Sequence, residues 1–203
     1  MFNFRRHPAD AFSSLALFVY LNVAGCFLHS ADAAPDTATA RARDYFTDTL
    51  VVDQSGRSQR FFSDLLAGRT VLINYIFTRC TDACPLITHK LNQVRERLGG
   101  KLPGEVRFIS ISVDPGHDTA ARLGEFAARN RAIDPEWRFV SGSVEDIRLI
   151  LSRLGQRQAD LLDHSTAMVA ANVGRSQWVK IHPDATPEFI VETLDRLQAP
   201  LPR

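Results

Sequence analysis

Cys80 and Cys84 sit in the stretch CTDACP, directly behind the apolar run VLINYIFTR. Three residues separate them, and Pro85 follows the second. Such a pair can exchange disulfides, hold a soft metal ion, or be two neighbouring thiols without a task. The third cysteine of the chain, Cys26, falls in an amino-terminal segment that reads as an export signal. Exported compartments are usually oxidising, so a lone close pair tends to form a disulfide unless it is reduced or metallated. A bridge over so short a loop removes little chain entropy. The pair therefore reads as chemical rather than structural.

Both chemistries need thiolate. A helix starting near Thr81 or Asp82 would put Cys84 in its first turn, where Pro85 is tolerated. The helix amino terminus and Arg79 would then favour thiolate over thiol. That does not choose between exchange and metal binding. Spacing says more. Oxidoreductases of the thioredoxin type use C-x-x-C, whereas this chain has C-x-x-x-C. The wider loop still closes as a disulfide, and it also lets both sulfurs face one ion. Two soft thiolates select copper(I), or zinc when nitrogen or harder ligands complete a tetrahedron.

The elements that must position this loop follow from hydrophobic periodicity. VLINYIF, Val71 to Phe77, reads as a buried central strand. Beyond Pro85, Ile87, Leu91, Val94 and Leu98 share one helical face, which Gly99-Gly100 ends. VRFISISV (106–113) is a second buried strand, and a helix opens at Asp118-Thr119. A strand over Trp137–Gly142, a helix capped by Ser143, a hairpin around GRS and a last helix from Thr186-Pro187 complete the order. Two short strands around Gly56 precede all of this. The expected fold class is α/β, thioredoxin-like, with a central mixed sheet flanked by helices and an N-terminal β-hairpin. Sites in such sheets lie beyond the carboxyl ends of central strands, where TRCTDAC falls.

A copper site on two thiolates wants a further ligand. His7 and His29 lie in the signal region, and His89 and His182 read as surface residues. His117, in DPGHD, follows a strand at the cysteine edge but reads as a loop residue. His164, in LLDHSTAMVA, directly precedes a strand. In this fold the loop before that strand faces the cysteine loop, so His164 is the candidate third ligand.

The chain resembles the Sco/SenC family of thioredoxin-like copper chaperones. The resemblance runs from about Tyr45 to Leu197, on FTRCTDACP (77–85), ISVDPGHDT (111–119) and DHS (163–165). It implies Cys80, Cys84 and His164 as the ligands of one copper ion, copper(I) or copper(II). It also implies a supporting acidic pair, Asp114 and Asp118; by residue type alone the two are equally well solvated loop residues and a helix cap. The implied function is delivery of copper to the binuclear copper centre of a cytochrome c oxidase subunit. The alternative is a thiol–disulfide oxidoreductase, with Cys80 and Cys84 as redox pair, that keeps the recipient's cysteines reduced. Another copper chaperone or a thiol reductant is a further expected partner. The C-x-x-x-C-P pattern does not match a peroxidase of the same fold. Ala120 after Asp-Thr and Asn172 in the final hairpin depart conservatively from the family's pattern.

The remaining bounds agree. The chain's 203 residues suffice for one cored domain, and 45% are hydrophobic and 23% charged, as in globular proteins. A net charge of +1 gives no electrostatic case for nucleic acid. Residues 1–34 read as a signal peptide or membrane anchor. Arg5 and Arg6 precede the apolar run Leu15–Leu28, which is shorter than the roughly 20 residues of a spanning helix. Ala31-Asp32-Ala33 suits cleavage, and VAGC (23–26) resembles a lipobox. Residues 35–43 are expected to be a tether and 44–203 the folded, periplasmic domain.

Overall fold

The computed structural model describes residues 37–99, 102, 104–156 and 166–199. Helix α1, Thr37–Phe46, comes first. Strands β1 (Leu50–Asp53) and β2 (Ser58–Arg60) pair antiparallel, and a wide helical turn, Phe61–Leu66, follows. Then β3 (Thr70–Ile76), α2 (Ala83–Arg97), β4 (Val106–Ser112), α3 (Ala120–Arg129), β5 (Trp137–Ser141) and α4 (Val144–Arg153) alternate. Strands β6 (Met168–Asn172) and β7 (Gln177–Ile181) and helix α5 (Pro187–Gln198) are the last of the described elements.

The seven strands form one sheet in the order β2-β1-β5-β4-β3-β6-β7. β3 and β5 run parallel to β4, and β1 and β6 join antiparallel. This mixed sheet flanked by helices is the expected thioredoxin-like class. Every residue of β3 and β4 is buried. Their side chains alternate between two cores, as the strand period of two requires. Leu72, Ile76 and Phe108 face α2, α3 and α5, together with Cys84. Val71, Ile73, Ile109 and Ile111 face α4 and the Phe61–Leu66 turn.

One expectation needs correction. The supposed tether is helical from Thr37. Its alanines favour helix intrinsically, and Phe46 at its end is buried and stacks on Trp178, ring centroids 4.5 Å apart.

The register that matters for function is at the carboxyl ends of β3 and β4. Ile76 pairs with Ser112, and the Val113 N–H donates to the Ile76 carbonyl at 2.8 Å. The cysteine loop and the Asp114–Asp118 loop therefore leave the sheet side by side.

Candidate metal and redox centre

Cys84 is the second residue of α2 and fully buried in the core beneath it, whereas Cys80 is half-buried in the loop. Both are free thiols. Asp82 occupies the N-cap position of α2, but its side chain makes no capping hydrogen bond. The Cys84 N–H instead donates to the Cys80 sulfur at 3.3 Å. One of the helix's unpaired amides is thus satisfied by the other cysteine, which ties the two sulfurs to one small region.

Burial pushes the Cys84 thiol up to about 12, helped by the hydrogen bond to Cys80 and by the negative charges of Cys80 and Asp118. A backbone hydrogen bond at Phe77 acts in the opposite direction. The expectation of a lowered thiol value from helix terminus and Arg79 therefore fails for Cys84, where desolvation is the largest influence and acts upward. Arg79 is also engaged elsewhere. Its guanidinium lies 2.6 Å from an Asp114 carboxylate oxygen.

Asp118 is neither solvated nor a cap. It is 1% exposed. It accepts the Thr78 hydroxyl at 2.6 Å, the Thr78 N–H at 3.2 Å and the Ser112 hydroxyl at 2.6 Å. The cap of α3 is Thr119, whose side chain accepts from the Arg122 N–H. A buried carboxylate needs several donors to offset desolvation, and Thr78 and Ser112 supply them. Ser112 also accepts the Asp114 N–H at 3.1 Å. Asp114 and Asp118 thus join the two loops, Asp114 through Arg79 and Asp118 through Thr78. Sequence reasoning passed over Thr78 and Ser112 as parts of this site. The signal for Ser112 was a hydroxyl inside an otherwise apolar strand run.

His164 lies outside the described residues. His89 is exposed beside Gln93, and His182 is exposed beside Asp184. The His117 ring stands near the Arg122 guanidinium, 3.3 Å between nitrogens. Among the described residues no three His, Cys, Asp or Glu side chains gather as a metal site. The described part of the site is therefore a dithiol. It can exchange a disulfide as it stands, and it can hold a soft ion with donors supplied from outside these residues.

Residues 37–199 match the SCO1/SenC family. A SCO2-like protein of Rickettsia felis is 27% identical over 154 residues, 72% of this chain and 74% of the relative. The structure of Bradyrhizobium japonicum ScoI with copper bound is 25% identical, with a TM-score of 0.59 over 73% of this chain and 96% of that one. BsSco superposes with a TM-score of 0.64 at 23% identity, over 75% of this chain and 92% of its own. BsSco is described as carrying a disulfide switch and as belonging to the Sco family of cytochrome c oxidase assembly proteins.

Proposed function

The chain belongs to the SCO1/SenC family, and from that premise we propose that it is an exported copper carrier. It binds one copper ion through Cys80, Cys84 and His164 and passes it by ligand exchange to the binuclear copper centre of a cytochrome c oxidase subunit. The observation that carries this reading is the dithiol itself. The two cysteines share one loop end at the carboxyl edge of β3, linked by the Cys84 N–H to the Cys80 sulfur. The donor set fits copper: two thiolates suit the soft copper(I), and an imidazole adds affinity for the harder copper(II).

Copper is cargo here, and the chain's residues do the handling. Cys84 gives up its proton on loading and holds the ion from the core side. Cys80, half-exposed, is the sulfur a recipient's ligand reaches first. Asp118 and Thr78 hold the loop between them.

The same asymmetry supports a second reading, thiol–disulfide exchange on the recipient's copper ligands. The Cys80 thiolate attacks a recipient disulfide, forms a mixed disulfide and releases one recipient thiolate. Cys84, losing its proton, attacks the Cys80 sulfur and releases the second. Two electrons pass to the recipient, and Cys80–Cys84 ends as a disulfide.

Copper titration of the reduced protein separates the readings. One ion per chain is expected, with tight binding lost in both Cys80→Ser and Cys84→Ser. His164→Ala should weaken copper(II) strongly and copper(I) less, with disulfide exchange unchanged. Copper binding untouched by His164→Ala, with disulfide exchange lost only in the two cysteine variants, would favour the oxidoreductase.

A further inference from the structure

β7 ends the sheet, and among the described residues its strand neighbour is β6 alone. In an antiparallel edge strand every second residue turns its N–H and C=O outward, where another strand can pair with them. Both faces of the sheet beside this edge are concave. On the α1 side is a cleft of about 770 Å³, walled by Tyr45, Phe46, Leu154, Val169 and Trp178. On the α5 side is a smaller one of about 390 Å³, lined by Gln177, Thr193, Arg196 and Leu197. Trp178 and Val179 line both.

The charge of the two clefts has one sign. Arg41, Arg153 and Lys180 rim the larger, Arg196 the smaller, and no described lining residue of either is acidic. The Arg153 guanidinium lies over the Tyr45 ring at 5.4 Å, at the edge of the apolar wall. None of Cys80, Cys84, Asp114 or Asp118 lines either cleft.

We infer that β7 is a docking edge for an extended acidic segment of a partner protein, which adds to the sheet as an eighth strand. Alternate side chains of an added strand point to opposite faces. One set enters the larger cleft and is apolar. The other set meets Arg196 on the opposite face and carries carboxylates. The preferred partner segment therefore alternates apolar and acidic residues. A second copy of this chain fits poorly, because β7 paired with β7 would bring the cationic rims of both copies together. This edge serves recognition and is independent of the dithiol chemistry.

The test uses the full reduced chain and a capped hexapeptide alternating leucine and glutamate, read by tryptophan fluorescence. Trp178 is half-buried at the edge, whereas Trp137 is fully buried in the core. Saturable binding is expected. It should weaken at least tenfold when alternate peptide amides on the pairing side are methylated, or when the same residues are arranged in blocks. Arg196→Glu, on an exposed side chain of the face that meets the carboxylates, should weaken it several-fold, and Lys180→Glu, on the face that meets the apolar set, less, while copper uptake and thermal unfolding stay unchanged. Three outcomes overturn the inference. One is no binding up to millimolar peptide. Another is equal affinity for the methylated peptide, with laurate competing for the cleft, which would assign it to an amphiphile. The third is reversible dimerisation of the free chain that Lys180→Glu alters, which would assign the edge to a second copy.

Discussion

Thr78 and Asp118 stand 40 positions apart, yet both the hydroxyl and the N–H of Thr78 donate to the Asp118 carboxylate. The hydroxyl bond is 2.6 Å long. Thr78 lies two residues before Cys80, so this contact fastens the cysteine loop to the loop that follows β4. Hydrogen bonds to an ionised acceptor are stronger than neutral ones. A buried carboxylate also leaves its donors stranded if it is removed.

Asp118→Ala should therefore destabilise the protein by about 2–4 kcal/mol, since buried donors on Thr78 and Ser112 lose their acceptor. Thr119→Ala should cost only about 1 kcal/mol, the usual value of a lost N-cap. Urea unfolding of both variants measures the contrast. Equal small losses would mean that Asp118 is not the centre of this network. Asp118→Asn should also lower the Cys84 thiol pKa, because the carboxylate's charge helps to raise it.

Thiol reactivity should be unequal. Near neutral pH, iodoacetamide should modify Cys80 well before Cys84, which is buried and held as a thiol. Peptide mapping after timed quenching reads the order, and equal rates would contradict the buried position of Cys84.

Stability should depend on pH through Cys84. Its folded-state value is about 12, against an ordinary 9.0. Between these values the unfolded chain has lost the proton while the folded chain retains it. The folded state then binds more protons, so stability falls as pH rises. Cys84's contribution is complete below pH 9 and is lost through the window up to about 12. Denaturation of the reduced protein across this range checks it, with Cys84→Ala expected to flatten the slope.

Copper loading and disulfide formation should exclude each other. A disulfide pins the sulfurs about 2.05 Å apart and removes both thiolate charges. Copper(I) bound per chain should fall linearly with the fraction oxidised, and bound copper should protect both thiols from alkylation. A fully oxidised sample that still took up one tightly held ion would place the metal elsewhere.

Export predicts a processed chain. Its first residue should be near Ala34 or Pro35, or a lipidated Cys26. Mass spectrometry of soluble and membrane fractions distinguishes these, and a full-length cytoplasmic chain would overturn the proposal.

The sheet and its helices were legible because their signals are local. Apolar runs over Val71–Phe77 and Val106–Val113, the helical spacing of Ile87, Leu91 and Val94, and the caps at Ser143 and Thr186 are written within a few residues each. These recur as β3, β4, α2 and the starts of α4 and α5. The cysteine pair and its place after a central strand were legible for the same reason. Helix α1 was missed because small polar residues read as linker, while its Phe46 is held by Trp178, more than a hundred positions away.

What the residues by themselves determined is the chemistry on offer: two thiols at C-x-x-x-C spacing, two carboxylates at D-x-x-x-D and a strand order that presents them at one edge. What only the tertiary structure decided is the state and task of each group. The Cys84 thiol is held well above its ordinary value because packing removes water from it and sets Asp118 nearby. Asp118 is a buried tie because the pairing of Ile76 with Ser112 brings Thr78 against it. Spacing along the chain carries neither desolvation nor the distance between loops on neighbouring strands. Those arise only when the sheet closes and its two cores fill.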